Sequence, residues 1–219
     1  MLEATPWAQA INGYPRSDVP YLLRQWMPKG GRLWLYVLYG DQWLPPGYPL
    51  LSWDHSGFRD IYEAVNSGNG WLYGTDGALW EKNMRVNLAD YATVWKLGDV
   101  YLRLLSTGLF DGLFLDCAGH IGWSSGGART LDVERAGFRS LAAMDSARTA
   151  NTELLISRVH AARCGLLVGA NSLEPLRGLD VDFMEGIGSL TTSSYRAVRQ
   201  RMREPGEHWL HRSEEHTSE

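Results

Sequence analysis

GLFDGLFLDCAG, Gly108 to Gly119, is the stretch whose reading decides the fold. Phe110, Leu113, Phe114 and Leu115 form a short apolar run, reached through Asp111-Gly112 and ended by Asp116, after which come Cys117, Ala118 and Gly119. A run of that length without polar alternation reads as a strand buried on both faces, the kind found in parallel sheets. In parallel α/β folds the carboxyl ends of the strands open into the ligand cleft, so Asp116 is placed for chemistry rather than for packing.

Working back from this strand, Val94, Leu97, Tyr101 and Leu104 recur at helical spacing, with Asp90 as the cap and Thr107-Gly108 as the stop. Met84 to Leu88 reads as a strand, so strand, capped helix and buried strand make a βαβ unit. Ser67 to Trp80 reads as turns around a short extended piece, and Phe58 to Val65 as a short helix with Ser56 as its candidate cap. Leu33 to Tyr39 is a strand that ends at Gly40-Asp41-Gln42-Trp43. Leu44 to Trp53 is a proline-rich surface loop, and Val19 to Met27 a short helix.

Working forward, His120 to Gly127 is a glycine- and serine-rich loop holding Trp123. Asp132 to Arg163 is helical, in two pieces broken near Asn151. Leu166 to Ala170 is another buried strand ending at Asn171-Ser172, and Val181 to Met184 a further one ending at Glu185-Gly186. Ser194 to Met202 is helical.

This rhythm makes the fold class α/β. With about five or six strands, and eight needed over about 250 residues, the expectation is a (β/α)8 TIM barrel, incomplete at its C-terminus and with room for a missing first strand. An open doubly wound sheet is the rival, but no glycine-rich phosphate loop follows an early strand. Residues 1–211 form one barrel-like domain. Residues 212–219, RSEEHTSE, resemble the translation of a sequencing adapter and are set aside, so that the natural sequence is expected to continue differently beyond His211.

Composition narrows the function. The 219 residues are 44% hydrophobic with 10 Trp, enough for a real core. A net charge of -4 with scattered Lys and Arg supplies no basic stripe for a nucleic acid, and no apolar stretch has the length of a membrane span. Cys117 follows the carboxyl end of one strand and Cys164 precedes the amino end of another. Such ends lie roughly 15–20 Å apart, beyond disulfide reach, so both thiols are expected free. No metal-ligand spacing is present, His120 reads as a loop residue, and there is no Gly-x-Ser-x-Gly elbow. Neither metal nor cofactor is therefore expected.

Four strand exits carry polar groups: Asp41, Asp116, Asn171 and Glu185. Two carboxylates at one cleft are the minimum for glycoside hydrolysis, one protonating the leaving oxygen and the other ionised as nucleophile or base. Asp116 and Glu185 are the candidate catalytic pair, with Asn171 orienting a hydroxyl or carboxylate and Asp41 at the rim. Trp123, with Trp43, Trp53 and Trp71, supplies loop aromatics for stacking on sugar rings. A sugar-binding barrel without catalysis is the alternative. A lyase or aldolase would want a lysine at a strand end, and Lys29, Lys82 and Lys96 lie elsewhere.

VNLAD (Val86 to Asp90), FDGLFLD (Phe110 to Asp116) and LLVGANS (Leu166 to Ser172) together resemble the layout of glycoside-hydrolase families with a TIM-barrel fold, similar to polygalactosaminidase-like and α-amylase-like barrels. The likeness covers roughly residues 33 to 190, and FDGLFLD is its specific element. In such families the Asp-Gly-apolar-apolar-apolar-Asp pattern ends in an active-site aspartate, which implies that role for Asp116. A later strand ending in Asn maps onto Asn171 and the carboxylate exit after it onto Glu185, whereas Cys117 departs from the polar residue often found after the aspartate. The resemblance implies an enzyme cleaving O-glycosidic bonds, with a carbohydrate as its partner, secreted or at the cell surface.

Overall fold

A computed structural model describes residues 2–3, 25, 29–40, 56–80, 86–118, 130–172, 176–184 and 207–210. They form six strands, β1 (Leu2–Glu3), β2 (Trp34–Leu38), β3 (Gly112–Asp116), β4 (Leu167–Asn171), β5 (Val181–Met184) and β6 (Glu207–Leu210). Three helices accompany them: α1 (Ser56–Asn66), α2 (Tyr91–Leu105) and α3 (Leu141–Ala162). The strands make one sheet in the order β1-β2-β3-β4-β5-β6, and every neighbouring pair is parallel.

Parallel neighbours require crossovers, and crossovers are right-handed. A strand order that always steps the same way therefore carries its crossovers to one side of the sheet. The cores agree with that. Leu33, Leu35, Val37, Tyr39, Leu113, Leu115, Val168 and Ala170 share one buried cluster with residues of all three helices, among them Val65, Leu97 and Leu155. Trp34, Phe114 and Val181, with Tyr36, Leu167 and Phe183 against them, form a separate cluster from alternate strand positions, with no helical residue among those described. Successive side chains of a strand point to opposite faces, so one continuous apolar run supplies both clusters.

Register orders the second face into rows. Trp34, Gly112 and Leu167 lie abreast, then Tyr36, Phe114, Gly169 and Val181, then Leu38 beside Asp116. Glycines make room for rings here. A β-carbon on Gly112 would stand 2.6 Å from the Leu167 carbonyl oxygen and 2.9 Å from the Trp34 indole.

The expected (β/α)8 barrel is corrected by these counts. Six strands and three helices among the described residues are far too few for a complete eight-fold barrel, and β1 and β6 stand as the two edges of the sheet. The architecture is mixed α/β with an all-parallel sheet. Among the described residues its order has no reversal, and so no topological switch point of the doubly wound kind either.

Three local expectations also change. Val86 to Leu88 is not a sheet strand: Val86 makes an isolated antiparallel bridge with Trp71, its N–H donating to the Gly40 carbonyl at 3.0 Å. The β2-to-β3 crossover accordingly carries both α1 and α2. Asn151 does not break α3, because its amide donates to the carbonyls of Leu88 (3.1 Å) and Ala89 (2.9 Å) on a neighbouring segment instead of competing for its own helix backbone. Trp71 is 5% exposed, its indole N–H on the Asn66 side-chain oxygen at 2.9 Å, so it is core rather than a stacking platform.

A fourth, the helix expected from Asp132, begins instead at Leu141, with the Ser140 hydroxyl accepting the Ala143 N–H at 3.2 Å as its cap. Three further expectations hold. Asp90 caps α2, its carboxylate accepting from the Thr93 N–H (2.9 Å) and hydroxyl (2.6 Å). The helix stops before Gly108, which takes the left-handed φ of 75° that a C-terminal glycine allows. Both cysteines are free. The helices expected at Val19 to Met27 and Ser194 to Met202 lie outside the described residues, apart from Gln25.

Candidate functional site

Three aspartates sit at strand ends on this sheet, and their partners separate them. Asp111, just before β3, accepts the Leu33 N–H at 2.7 Å while its own N–H and carbonyl join β2 and β4. Asp180, just before β5, accepts the Val168 N–H at 2.7 Å and meets the His160 ring nitrogen at 2.9 Å. Both pin backbone at the amino ends of strands, which gives the first Asp of FDGLFLD a structural role. Asp116 closes β3 at its carboxyl end, half-buried, on the second face of the sheet.

Backbone fixes Asp116 from both neighbouring strands. Its carbonyl accepts the N–H groups of Tyr39 (3.0 Å) and Gly40 (3.3 Å) from the end of β2. Two residues on, the Ala118 N–H donates to the Asn171 carbonyl at 3.1 Å at the end of β4. The Ala118 carbonyl accepts at 2.7 Å from Arg148 of α3, a guanidinium only 1% exposed whose Nε lies 3.6 Å from Asp145. A buried charge needs such partners, so α3 is tied to the exit of β3 by more than apolar contact. Between these anchors Cys117 adopts φ 54°, the sole non-glycine residue with positive φ among those described. Its N–H, in the peptide plane that follows Asp116 directly, donates to Asp116 Oδ1 at 2.8 Å.

The side chain is held just as firmly. Asn171, 3% exposed at the end of β4, donates through Nδ2 to Asp116 Oδ1 at 3.0 Å. The Tyr36 hydroxyl donates to Oδ2. The Tyr36 ring stacks on Phe114 with centroids 5.9 Å apart and planes 12° from parallel, and Phe114 meets Phe183 edge-on at 5.7 Å. Three strands thus converge on one carboxylate, β2 through Tyr36, β3 through Asp116 itself, and β4 through Asn171.

Of the residues named from sequence, the structure brings Asp116 and Asn171 into direct contact. Asp41, Trp123 and Glu185 lie outside the described residues. Tyr36 was missing from the expected set. It reads as one more ring in an aromatic strand, and the signal that finds it is period-two alternation once β2 and β3 are aligned, which sets Leu38 beside Asp116 and Tyr36 on the same face. Lys96 lies on α2 and donates to the Ser67 hydroxyl at 2.7 Å, away from this rim.

Beneath the rim, on the helix side, a second polar group is sealed. The Tyr39 hydroxyl lies 3.3 Å from that of Thr152, which donates to the Arg148 carbonyl at 2.9 Å, and Tyr101 is buried nearby. Burial pushes both phenols well above the ordinary tyrosine range.

Among the described residues no cluster of three or more His, Cys, Asp or Glu side chains is arranged to hold a metal ion, and no helix is long and apolar enough to cross a membrane. No known family model matches the chain, and no curated protein matches it either.

Proposed function

We propose that this chain belongs to an enzyme that hydrolyses O-glycosidic bonds, with Asp116 as the carboxylate that acts in its ionised form. The observation that carries the reading is the half-buried Asp116 at the carboxyl end of a central parallel strand, accepting hydrogen bonds from three donors on and beside its strand. A carboxylate surrounded by donors is arranged as an acceptor, which suits a nucleophile, a general base or a stabiliser of positive charge at the sugar carbon. The proton for the leaving oxygen then comes from a second acid. Glu185, directly after β5 in sequence, is the candidate. Water supplies the other half of the reaction: the sugar carbon–oxygen bond breaks, the leaving oxygen takes a proton, and the water oxygen completes the new hydroxyl.

The test is release of new reducing ends from a panel of polysaccharides, and of nitrophenol from 4-nitrophenyl glycosides, by the full chain and by Asp116→Asn. Turnover is expected to fall by at least about a thousandfold in the variant, in keeping with loss of a group that acts directly in the transition state. Equal turnover by both proteins removes Asp116 from the chemistry. Glycan binding that survives in both, without release by either, assigns the rim to sugar binding alone.

A further inference from the structure

The bonding around Asp116 distinguishes its two oxygens. Oδ1 accepts from the Cys117 N–H at 2.8 Å and from Asn171 Nδ2 at 3.0 Å, which occupies both lone-pair directions of a carboxylate oxygen. Oδ2 accepts from the Tyr36 hydroxyl alone among the described donors. Resting on the hydrolase reading above, we infer that Oδ2 is the reacting oxygen of Asp116 and that Tyr36 is the positioning residue that aims it.

Each donor is itself held. The Cys117 N–H shares its peptide plane with the Asp116 carbonyl, which the Tyr39 and Gly40 N–H groups hold. Asn171 is buried at the end of β4. The Tyr36 ring lies along Phe114, whose far side meets Phe183, so the phenol is fixed by its ring and not only by its hydrogen bond. A phenol suits the position chemically. It is a neutral donor, so it orients the carboxylate without cancelling its charge, as a lysine or arginine there would. Oδ1 is then an anchor and Oδ2 a directed edge with one lone pair to offer.

The experiment compares wild type, Tyr36→Phe, Phe114→Leu and Asp116→Asn on whichever polysaccharide or 4-nitrophenyl glycoside of the panel wild type cleaves fastest, recording kcat, KM and the pH profile of kcat/KM. Tyr36→Phe keeps the ring stack and deletes one oxygen. Its kcat is expected to drop about tenfold to a hundredfold, the range for one hydrogen bond to a charged group, with KM within about twofold. The acid limb of the kcat/KM profile is expected to move, a change that loss of packing alone would not produce. Phe114→Leu loosens the stack while keeping the hydroxyl, and is expected to lower thermal stability without moving the acid limb.

If Asp116→Asn is inactive while Tyr36→Phe matches wild type in kcat and pH profile, the role of Tyr36 is overturned and the hydrolase reading stands. If Tyr36→Phe loses stability and activity as Phe114→Leu does, with the acid limb unmoved, its role is packing and the inference is likewise overturned. If wild type cleaves nothing in the panel, or Asp116→Asn is fully active, the hydrolase reading falls and takes this inference with it.

Discussion

Tyr36 and Tyr39 bracket the end of β2 and live in opposite surroundings. Tyr39 points toward the helices, fully buried, its hydroxyl near Thr152. Tyr36 lies on the other face, half-buried, with its hydroxyl on the Asp116 carboxylate. The same contrast runs along β3, where Leu113 and Leu115 are fully buried beneath the helices while Phe114 and Asp116 belong to the second face. One face of the sheet packs against the helices, and the other sets rings and glycines in rows beside a carboxylate. Alternation along a strand lets one short sequence do both, because a change at one position leaves its neighbour's face in place.

The strongest way to break this division is Leu115→Ala. Leu115 is fully buried on the helix face, and truncation is expected to cost about 3 kcal/mol, read as a lower midpoint in urea at unchanged slope. Asp116→Asn, one residue on, should cost clearly less stability. If the two costs are equal, the faces are not specialised. A smaller effect is expected on the second face from Gly112→Ala. Its new methyl meets the Trp34 ring and the Leu167 carbonyl, and the overpacking should cost about 1–3 kcal/mol by the same measurement. A neutral outcome means that Trp34 has room to move, and that the rows of this face are less tightly interlocked than their register implies.

The third comparison is by pH. Tyr39 and Tyr101 have phenols raised by burial above the ordinary 10.0. Unfolded chains release these protons near that value while the folded protein keeps them, so the stability they contribute is complete below pH 10.0 and declines as pH rises toward the folded values. Each group adds about 1.4 kcal/mol per pH unit to that decline. Tyr39→Phe should remove one such contribution, visible as a shallower fall of the urea midpoint above pH 10.0. An unchanged slope means the Tyr39 hydroxyl ionises in the folded state as readily as in the unfolded one.

Much of the sheet is legible in the sequence because buried parallel strands announce themselves as short apolar runs. Leu33 to Tyr39, Phe110 to Asp116, Leu166 to Ala170 and Val181 to Met184 all read as strands and all pair. The cap at Asp90 is local chemistry and is equally readable. What escapes is whatever depends on a distant partner. Val86 to Leu88 is apolar enough for a strand, but its N–H groups are taken by Gly40 and Gly70 outside the sheet. Asn151 reads as a helix break until Leu88 and Ala89 supply carbonyls for it. The number of strands needed for a closed barrel is likewise a property of the whole assembly, and a run of strand-like segments does not settle it. At the site, Asp116 and Asn171 are legible as strand exits, whereas Tyr36 becomes visible only through the register of β2 against β3.

One contact has a bearing on how Asp116 is held. Any β-carbon at position 40 would stand 2.0 Å from the Cys117 carbonyl oxygen, so the main chains leaving β2 and β3 are pressed together where both strands end. Asp116 is thereby secured by backbone before either connection departs, so its position is set by the two strands themselves and by the peptides that join their ends.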